Sequence, residues 1–311
     1  MSELKKGYTT GVTVTFAFKM AVESFLVTSK ISTVKTNKPD NDDLDVTKGC
    51  EIVVTITDDK TSLVLNHISH KPYIINNIEL YAGQGVGVVT KDGLKPPKGY
   101  PAINPTPLNA LKKTADSFEI KNKLYCTVSV TNGEELAKQT ANEKVGVLGG
   151  ISILGTTGFV KPVSATAYID SIKAELDFIK ANGYKKVVLT LGNTSLKEAI
   201  KTYKKEQIVE MGNFVYDAIK EALERDLQIV LYLGVAKAVK VAQGFKNTHN
   251  RFGSIDFKEV ETWIGISLED IVTIRKVLDI VDEKSFKKDV KNRAEEMLKK
   301  WFKKDIEICL V

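Results

Sequence analysis

Hydrophobic and polar positions follow two different rhythms along this chain, and the change comes near its middle. Over residues 11–30 apolar side chains recur at helical spacing, with Phe16, Met20 and Val27 able to share one face. The pattern then shortens. Residues 51–57 and 62–68 alternate or run apolar around Asp58-Asp59-Lys60, a hairpin signature. Residues 86–90 and 125–130 read as further strands. The acidic segment 40–45 reads as a loop, and residues 96–107, with five prolines, as an extended one entering a helix over 108–118. Asn132, with Glu135 three residues on, has the pattern of a capping box for the next helix. Beyond about residue 160 strands and helices take turns. Strands are predicted at 186–191, 207–211 and 228–233. Helices are predicted at 167–182, closed by Gly183, and at 213–225 and 236–243. That alternation implies parallel βαβ units. A mostly helical stretch follows to Phe302, and residues 305–311 read as a last strand. The boundary falls near Lys161-Pro162, giving an N-terminal domain over 1–160 and a C-terminal α/β domain over 161–311.

Charge and cysteine content narrow the classes. The net charge of +6 comes mostly from lysine, without an arginine-rich strip interleaved with aromatics, which argues against nucleic acid. A lysine-rich surface is either plain solvation or suited to a polyanionic ligand. The apolar stretch after Lys5 and Lys6 is interrupted by Lys19, and no uninterrupted apolar run approaches the ~20 residues that span a bilayer. A cytoplasmic protein without a membrane partner is expected; whether it forms a homo-oligomer is open. Cys50, Cys126 and Cys309 are scattered, which suits neither a disulfide framework nor a zinc site, and no protein-held metal is expected.

The candidate chemistry sits in glycine-rich loops. Residues 147–158 read V-L-G-G-I-S-I-L-G-T-T-G, a buried strand interrupted by Gly149, Gly150, Gly155 and Gly158 beside the hydroxyls of Ser152, Thr156 and Thr157. Two readings fit: a pocket wall, or a tight connection between domains. Gly83-x-Gly85-x-Gly87 precedes a strand instead of opening a helix, so it is not a dinucleotide fingerprint, and a turn or a ligand-facing loop remains. His67 and His70 fall on opposite faces of their strand-like run, which suits surface histidines better than a metal site. Gly192 and Asn193 end a predicted parallel strand, where ligands of open α/β sheets gather. His249, in N-T-H-N-R, is a candidate for acid–base work; the alternative is a loop stabilised by its own side chains.

Seven motifs in one order resemble the CbiD family. They are G-Y-T-T-G (7–11), D-D-x-D-V-T-x-G (42–49), G-V-G-V-V-T-K (85–91), P-A-I-N-P (101–105), N-G-E-E-L-A-K (132–138), G-G-I-S-I-L-G-T-T-G (149–158) and N-T-H (247–249). The resemblance implies transfer of methyl from S-adenosylmethionine to C-1 of cobalt-precorrin-5B in anaerobic cobalamin biosynthesis, the cobalt being carried by the substrate. It implies a ribosomal protein S5 domain 2-like α+β domain followed by a Rossmann-like α/β domain. The substrate side would hold Tyr8, Thr9, Thr10, Asp45, Thr47, Lys91, Asn104 and Arg251, with Lys161 as a further counter-charge to its carboxylates. The donor side would hold Gly149, Gly150, Gly155, Thr156, Thr157, Gly158, Gly192 and Asn193, with His249 as the catalytic candidate. This chain departs from the family's pattern at Val12-Thr13, around Leu191 and at Leu233-Gly234 ahead of Lys237. The alternative is a diverged tetrapyrrole-binding protein without methyl transfer. A nicotinamide-dependent oxidoreductase lacks its fingerprint.

Overall fold

The computed structural model describes residues 7–39, 46–155, 158–160 and 165–311. The chain divides into two compact units, Met1–Ala165 and Thr166–Val311, and its architecture is mixed α and β.

Unit 1 begins with β1 (Gly7–Tyr8) and α1 (Thr10–Thr28), then β2 (Ser32–Asn37), β3 (Glu51–Thr57), β4 (Tyr73–Ile75) and β5 (Ile78–Ala82). Two short strands follow, β6 (Gly85–Val86) and β7 (Val88–Val89), then α2 (Pro105–Asp116), β8 (Leu124–Val130) and α3 (Gly133–Ala137). It closes with three more two-residue strands, β9 (Val147–Leu148), β10 (Gly150–Ile151) and β11 (Phe159–Val160). The main sheet runs β2-β3-β8-β5-β4, antiparallel except where β5 lies parallel to β8. Period-two alternation sends Ile52, Val54 and Ile56 of β3 and Leu124, Cys126, Val128 and Val130 of β8 to one buried face.

Helix α1 covers that face with Val14, Ala17, Phe18, Ala21 and Val22, all fully buried. Phe16, Met20 and Val27 do share a face, but it is the outer one: Phe16 is 57 % and Val27 85 % exposed. Phe18 and Phe25 join the alanines and valines on the inner face, so the broader apolar stripe took the core. By length and composition α1 could cross a membrane, yet half of it is buried inside this fold. It starts at Thr9, whose hydroxyl accepts from Val12 N–H at 3.3 Å, and ends on Ser29 in the left-handed conformation.

Several local expectations are corrected. Strand β3 pairs with β2 and β8, not with residues 62–68, because Asp59 accepts hydrogen bonds from Thr61 and opens a short 3-10 turn over Lys60–Ser62. The real hairpin joins β4 to β5 through Asn76-Asn77, with Asn76 at φ 52°. Helix α2 starts at Pro105, earlier than predicted, since proline suits a first helical turn. Asn132 takes a left-handed conformation and makes no side-chain cap bond, while Glu135 turns to Lys138. The predicted strand 86–90 is broken at Gly87 into β6 and β7. The predicted acidic loop at 40–45 lies outside the described residues.

Unit 2 is built from α4 (Ala165–Ala181), β12 (Lys186–Thr190), α5 (Asn193–Ile200), β13 (Ile208–Glu210), α6 (Val215–Leu223), β14 (Gln228–Leu233) and α7 (Val235–Ala242). Helices α8 (Phe257–Ile264), α9 (Ile274–Leu278) and α10 (Glu283–Phe302) then lead into β15 (Glu307–Leu310). Its sheet is wholly parallel, in the order β13-β12-β14-β15. Val187, Val188, Leu189, Val230 and Leu231 are buried, the near-continuous apolar runs expected of strands covered on both faces. The chain leaves β12 toward β13 on one side and leaves β14 toward β15 on the other. A topological switch point therefore lies between β12 and β14.

Candidate functional site

In unit 1 glycine is used to bring backbone onto backbone. β10 pairs with β6 so that Gly150 faces Gly85, and Gly85 in turn packs on Gly133 and the Val130 carbonyl. Gly150 sits at φ +150°, and a Cβ on it would run into the Gly85 carbonyl group. Asn66 locks the same junction. Its Nδ2 donates to the carbonyls of Val86 at 2.8 Å and Gly149 at 2.7 Å, and its Oδ1 accepts from Ile68 N–H at 2.8 Å. Gly149 and Gly150 thus belong to a packed seam, with Gly150 buried and Gly149 partly open to solvent.

The next residues reach the surface beside α1. Leu154 accepts from Gly11 N–H at 2.9 Å and from the Thr10 hydroxyl at 3.2 Å, and donates its own N–H to that hydroxyl at 2.9 Å. Gly158 accepts from Thr9 N–H at 3.0 Å. A Cβ on Gly155 would strike the Thr9 hydroxyl, and one on Gly11 would come within 2.7 Å of Pro107. These close approaches leave a mostly apolar groove of about 320 Å³, within the range of small-ligand pockets. Thr9, Val12 and Phe16 of the α1 side and Thr106 and Pro107 of α2 form its walls, with Gly155 and Gly158 at one end. Tyr8 stacks on Phe159 nearby at 5.5 Å between ring centroids.

In unit 2 the candidate atoms gather at the carboxyl ends of the strands. Thr190 of β12 is in register with Tyr232 of β14, so the glycines that follow, Gly192 and Gly234, stand at about the same height. Each precedes a helix, α5 and α7, and neither helix has a side-chain cap. First-turn N–H groups are left free to meet a ligand. A Cβ on either glycine would touch nothing, so open space adjoins both. Ser195, on the first turn of α5, is buried with no hydrogen-bond partner for its hydroxyl.

Two lysines cross this edge. Side chains of a helix lean toward its N-terminus, which carries Lys237 of α7 back to the strand ends. Its Nζ donates to Asn213 Oδ1 at 2.9 Å and to the Thr248 carbonyl at 3.1 Å. Asn213 follows β13, and Lys237 follows β14, so their bond passes over the end of β12, which lies between those strands. Lys240, only 4 % exposed, donates to the Thr248 carbonyl, Asn250 Oδ1 and the Gly253 carbonyl at 2.8–3.2 Å. Desolvation draws both ammonium groups below the ordinary lysine range, and the charge of Lys240 adds to this at Lys237. Thr248 is fully buried, its hydroxyl donating to Asn213 Oδ1 at 2.9 Å.

The residues singled out in the sequence fall into separate places. Tyr8, Thr9, Thr10, Gly155 and Gly158 come together at or beside the groove. Asn104, the uncapped residue before α2, adjoins it through its N–H, which donates to the Ile153 carbonyl at 3.0 Å. Thr47 lies in the turn before β3 and Lys91 beside Gly146, neither lining the groove. Asp45, Thr156, Thr157 and Lys161 lie outside the described residues. Gly192, Asn193, His249 and Arg251 belong to unit 2. His249 is exposed, and its Nδ1 accepts from Arg251 N–H at 3.1 Å, capping a 3-10 turn. Arg251 lays its guanidinium over the Phe252 ring, 4.7 Å from the centroid. His70 accepts from Ala82 N–H, and His67 stands 3.6 Å from Glu134.

Lys237, Lys240, Asn213 and Ser195 are the polar groups that sequence reading passed over. One signal was present: V-A-K-A-V-K-V-A places Lys240 in the apolar register of its own helix, where a cation needs a reason to be.

These features define a two-unit protein of mixed α and β structure, with an apolar groove in unit 1 and open helix starts at the strand ends of unit 2. The CbiD family model matches residues 20–162. A cobalt-precorrin-5B C(1)-methyltransferase of Methanococcus maripaludis is 34 % identical over 252 residues, covering 80 % of this chain and 67 % of that protein. One from a Thermoanaerobacter species is 35 % identical over 294 residues, covering 89 % and 80 %. A crystal structure of a cobalamin biosynthesis protein (CbiD) from Archaeoglobus fulgidus aligns over 99 % of this chain and 87 % of that one, at 20 % identity and a TM-score of 0.36. The chain belongs to the CbiD family.

Proposed function

We propose that this protein transfers the methyl group of S-adenosylmethionine to C-1 of cobalt-precorrin-5B, the reaction for which its relatives are named. Family membership supplies the reaction class. The structural observation that carries it is the switch point of unit 2, where two uncapped helices open onto free space. Those N–H groups, the unpartnered Ser195 hydroxyl and the cationic edge suit a compact polar donor. In this reading unit 2 is a Rossmann-like domain that takes S-adenosylmethionine between Gly192-Asn193 and Gly234. Unit 1 is the ribosomal protein S5 domain 2-like domain, and its groove takes the flat face of the tetrapyrrole. Exposed Val12 and Phe16, rimmed by threonine hydroxyls and Lys19, match an apolar ring edged with carboxylates. Asp45, Thr47, Lys91 and Asn104 join this substrate side, and the seam at Gly149-Gly150 shapes the wall behind Gly155.

The sulfonium donor is already activated, so the protein's work is alignment, with the reacting atoms held roughly 3–3.5 Å apart. This explains a site without a nucleophile. His249 has its Nδ1 taken by a backbone N–H, so Nε2 is the ring nitrogen left to contact a ligand. Arg251 beside it meets a carboxylate. A cytoplasmic location goes with this reading. The test is anaerobic incubation with methyl-labelled S-adenosylmethionine and cobalt-precorrin-5B. Label should appear in the tetrapyrrole; binding of the pigment without label transfer would leave a tetrapyrrole-binding protein instead.

A further inference from the structure

Among the described residues the lysine pair of unit 2 has no carboxylate beside it. Neither Lys237 nor Lys240 forms an ion pair with a carboxylate among the described residues; their five hydrogen bonds all end on neutral oxygens. The two differ in what they have left. An ammonium has three protons to donate. Lys240 spends all three on Thr248, Asn250 and Gly253, and so pins residues 248–253 to α7. Lys237 makes two bonds and is only half-buried, leaving one donor toward the strand ends. Asn213 uses its Oδ1 to accept from Lys237 and Thr248, which leaves its Nδ2 protons free. The N–H groups of Val235 and Ala236, at the open start of α7, complete a set of donors with no acceptor of their own.

We propose that Lys237, Asn213 Nδ2 and the first turn of α7 form a carboxylate-binding site, with Lys240 positioning the set. The inference rests on the methyltransferase reading, which supplies two ligands bearing that group: the methionine end of the donor and the side chains of the macrocycle. A carboxylate here accepts the third Lys237 proton and an amide proton, and neutralises a pair of like charges that repel each other in its absence. A chloride-sized or neutral ligand would leave part of the fork unused.

Calorimetry on the full chain tests this without turnover. The probes are S-adenosylhomocysteine against its decarboxylated analogue, and uroporphyrin against its methyl ester. Lys237→Met should bind one carboxylated probe about 10- to 100-fold more weakly than the unmodified chain, with little change for that probe's carboxylate-free partner. Lys237→Arg should recover most of the loss. Loss confined to S-adenosylhomocysteine assigns the site to the donor, and loss confined to uroporphyrin assigns it to the macrocycle. If Lys237→Met binds both carboxylated probes undiminished, or loses the carboxylate-free forms equally, the carboxylate site is overturned while the methyltransferase reading stands. Failure of the unmodified chain to bind either probe removes that reading, and this site with it.

Discussion

The two units solve one problem, holding a loop in a fixed place, in opposite ways. Unit 1 does it by removing side chains. Gly85, Gly133 and Gly150 let three backbone segments touch, and Asn66 ties them with neutral hydrogen bonds. Unit 2 does it by burying charge: Lys240 reaches three oxygens from one atom and fixes a whole loop. The first device is steric and indifferent to pH. The second answers to titration and to ligand charge. Steric seams suit a wall that must keep its shape, whereas a charged clip can respond to what binds beside it.

The sharpest way to break the contrast is Gly150→Ala. Its Cβ would meet the Gly85 carbonyl with no flexible group to yield, in a conformation that penalises any side chain. A loss of roughly 2–5 kcal/mol is expected from overpacking and backbone strain, read by far-UV circular dichroism in denaturant. Unchanged stability would mean that the seam is not close-packed. Trp263 and Trp301, the protein's two tryptophans, both lie in unit 2, so their fluorescence reports that unit separately.

Lys240→Met should act on the other side of the comparison. Asn250 Oδ1 and the Gly253 carbonyl lose their lysine donor and the Thr248 carbonyl keeps only Lys237, so about 1–3 kcal/mol should go from unit 2, with faster amide exchange over residues 248–253. Protection equal to the unmodified chain would show that water replaces the ammonium at no cost.

Gly155→Val costs less stability than Gly150→Ala and more function. The new side chain displaces the Thr9 hydroxyl that caps α1, worth about 0.5–2 kcal/mol, and adds backbone strain of roughly 1–2 kcal/mol at a φ of +150°. The protein should stay folded and lose methyl transfer. A variant with full turnover would remove Gly155 from the ligand surface.

The smallest effect is alkaline. Lys237 and Lys240 are depressed from the ordinary lysine value of 10.5. As pH climbs toward 10.5 these two lysines hold more protons unfolded than folded and so add stability to unit 2, while Tyr168, Tyr232 and Cys309, raised by burial, work against them. In unit 1 Lys60 is raised by a hydrogen bond to Tyr81, and Lys123 and Lys138 by their bonds to Glu79 and Glu135. The stability those groups supply is present below 10.5 and lost as pH rises through their folded values. The lysine part should show as a difference: the stability of the unmodified chain relative to Lys240→Met, read by tryptophan fluorescence in denaturant, should rise across about pH 9–11, and an unchanged difference would contradict the contrast.

Much of the fold was legible because its signals are local. The βαβ alternation of unit 2 follows from apolar runs of strand length separated by helical periods, and β12, β14 and α7 fall within a residue or so of the predicted spans. Where two local signals competed, tertiary packing chose between them. Phe16, Met20 and Val27 make one apolar stripe of α1, yet the broader one through Val14, Phe18, Val22 and Phe25 faces the sheet. Asp58-Asp59-Lys60 suited a hairpin, but Asp59 used its carboxylate on Thr61. The candidate site was legible only in part. Glycines mark both of its regions, and a glycine that packs on backbone is indistinguishable in a string from one that faces a ligand.

The sequence by itself determined the family, the mixed α/β class and the two places where backbone is exposed by glycine, because motif order and periodicity are properties of neighbours in the chain. Tertiary structure alone decided that Gly149-Gly150 lie in a packed seam and Gly155 beside a groove. It alone brought Asn213, Lys237, Lys240 and Thr248 to one strand edge. Which atoms share a desolvated space depends on how the sheet is wound, and that is settled only when distant segments pack.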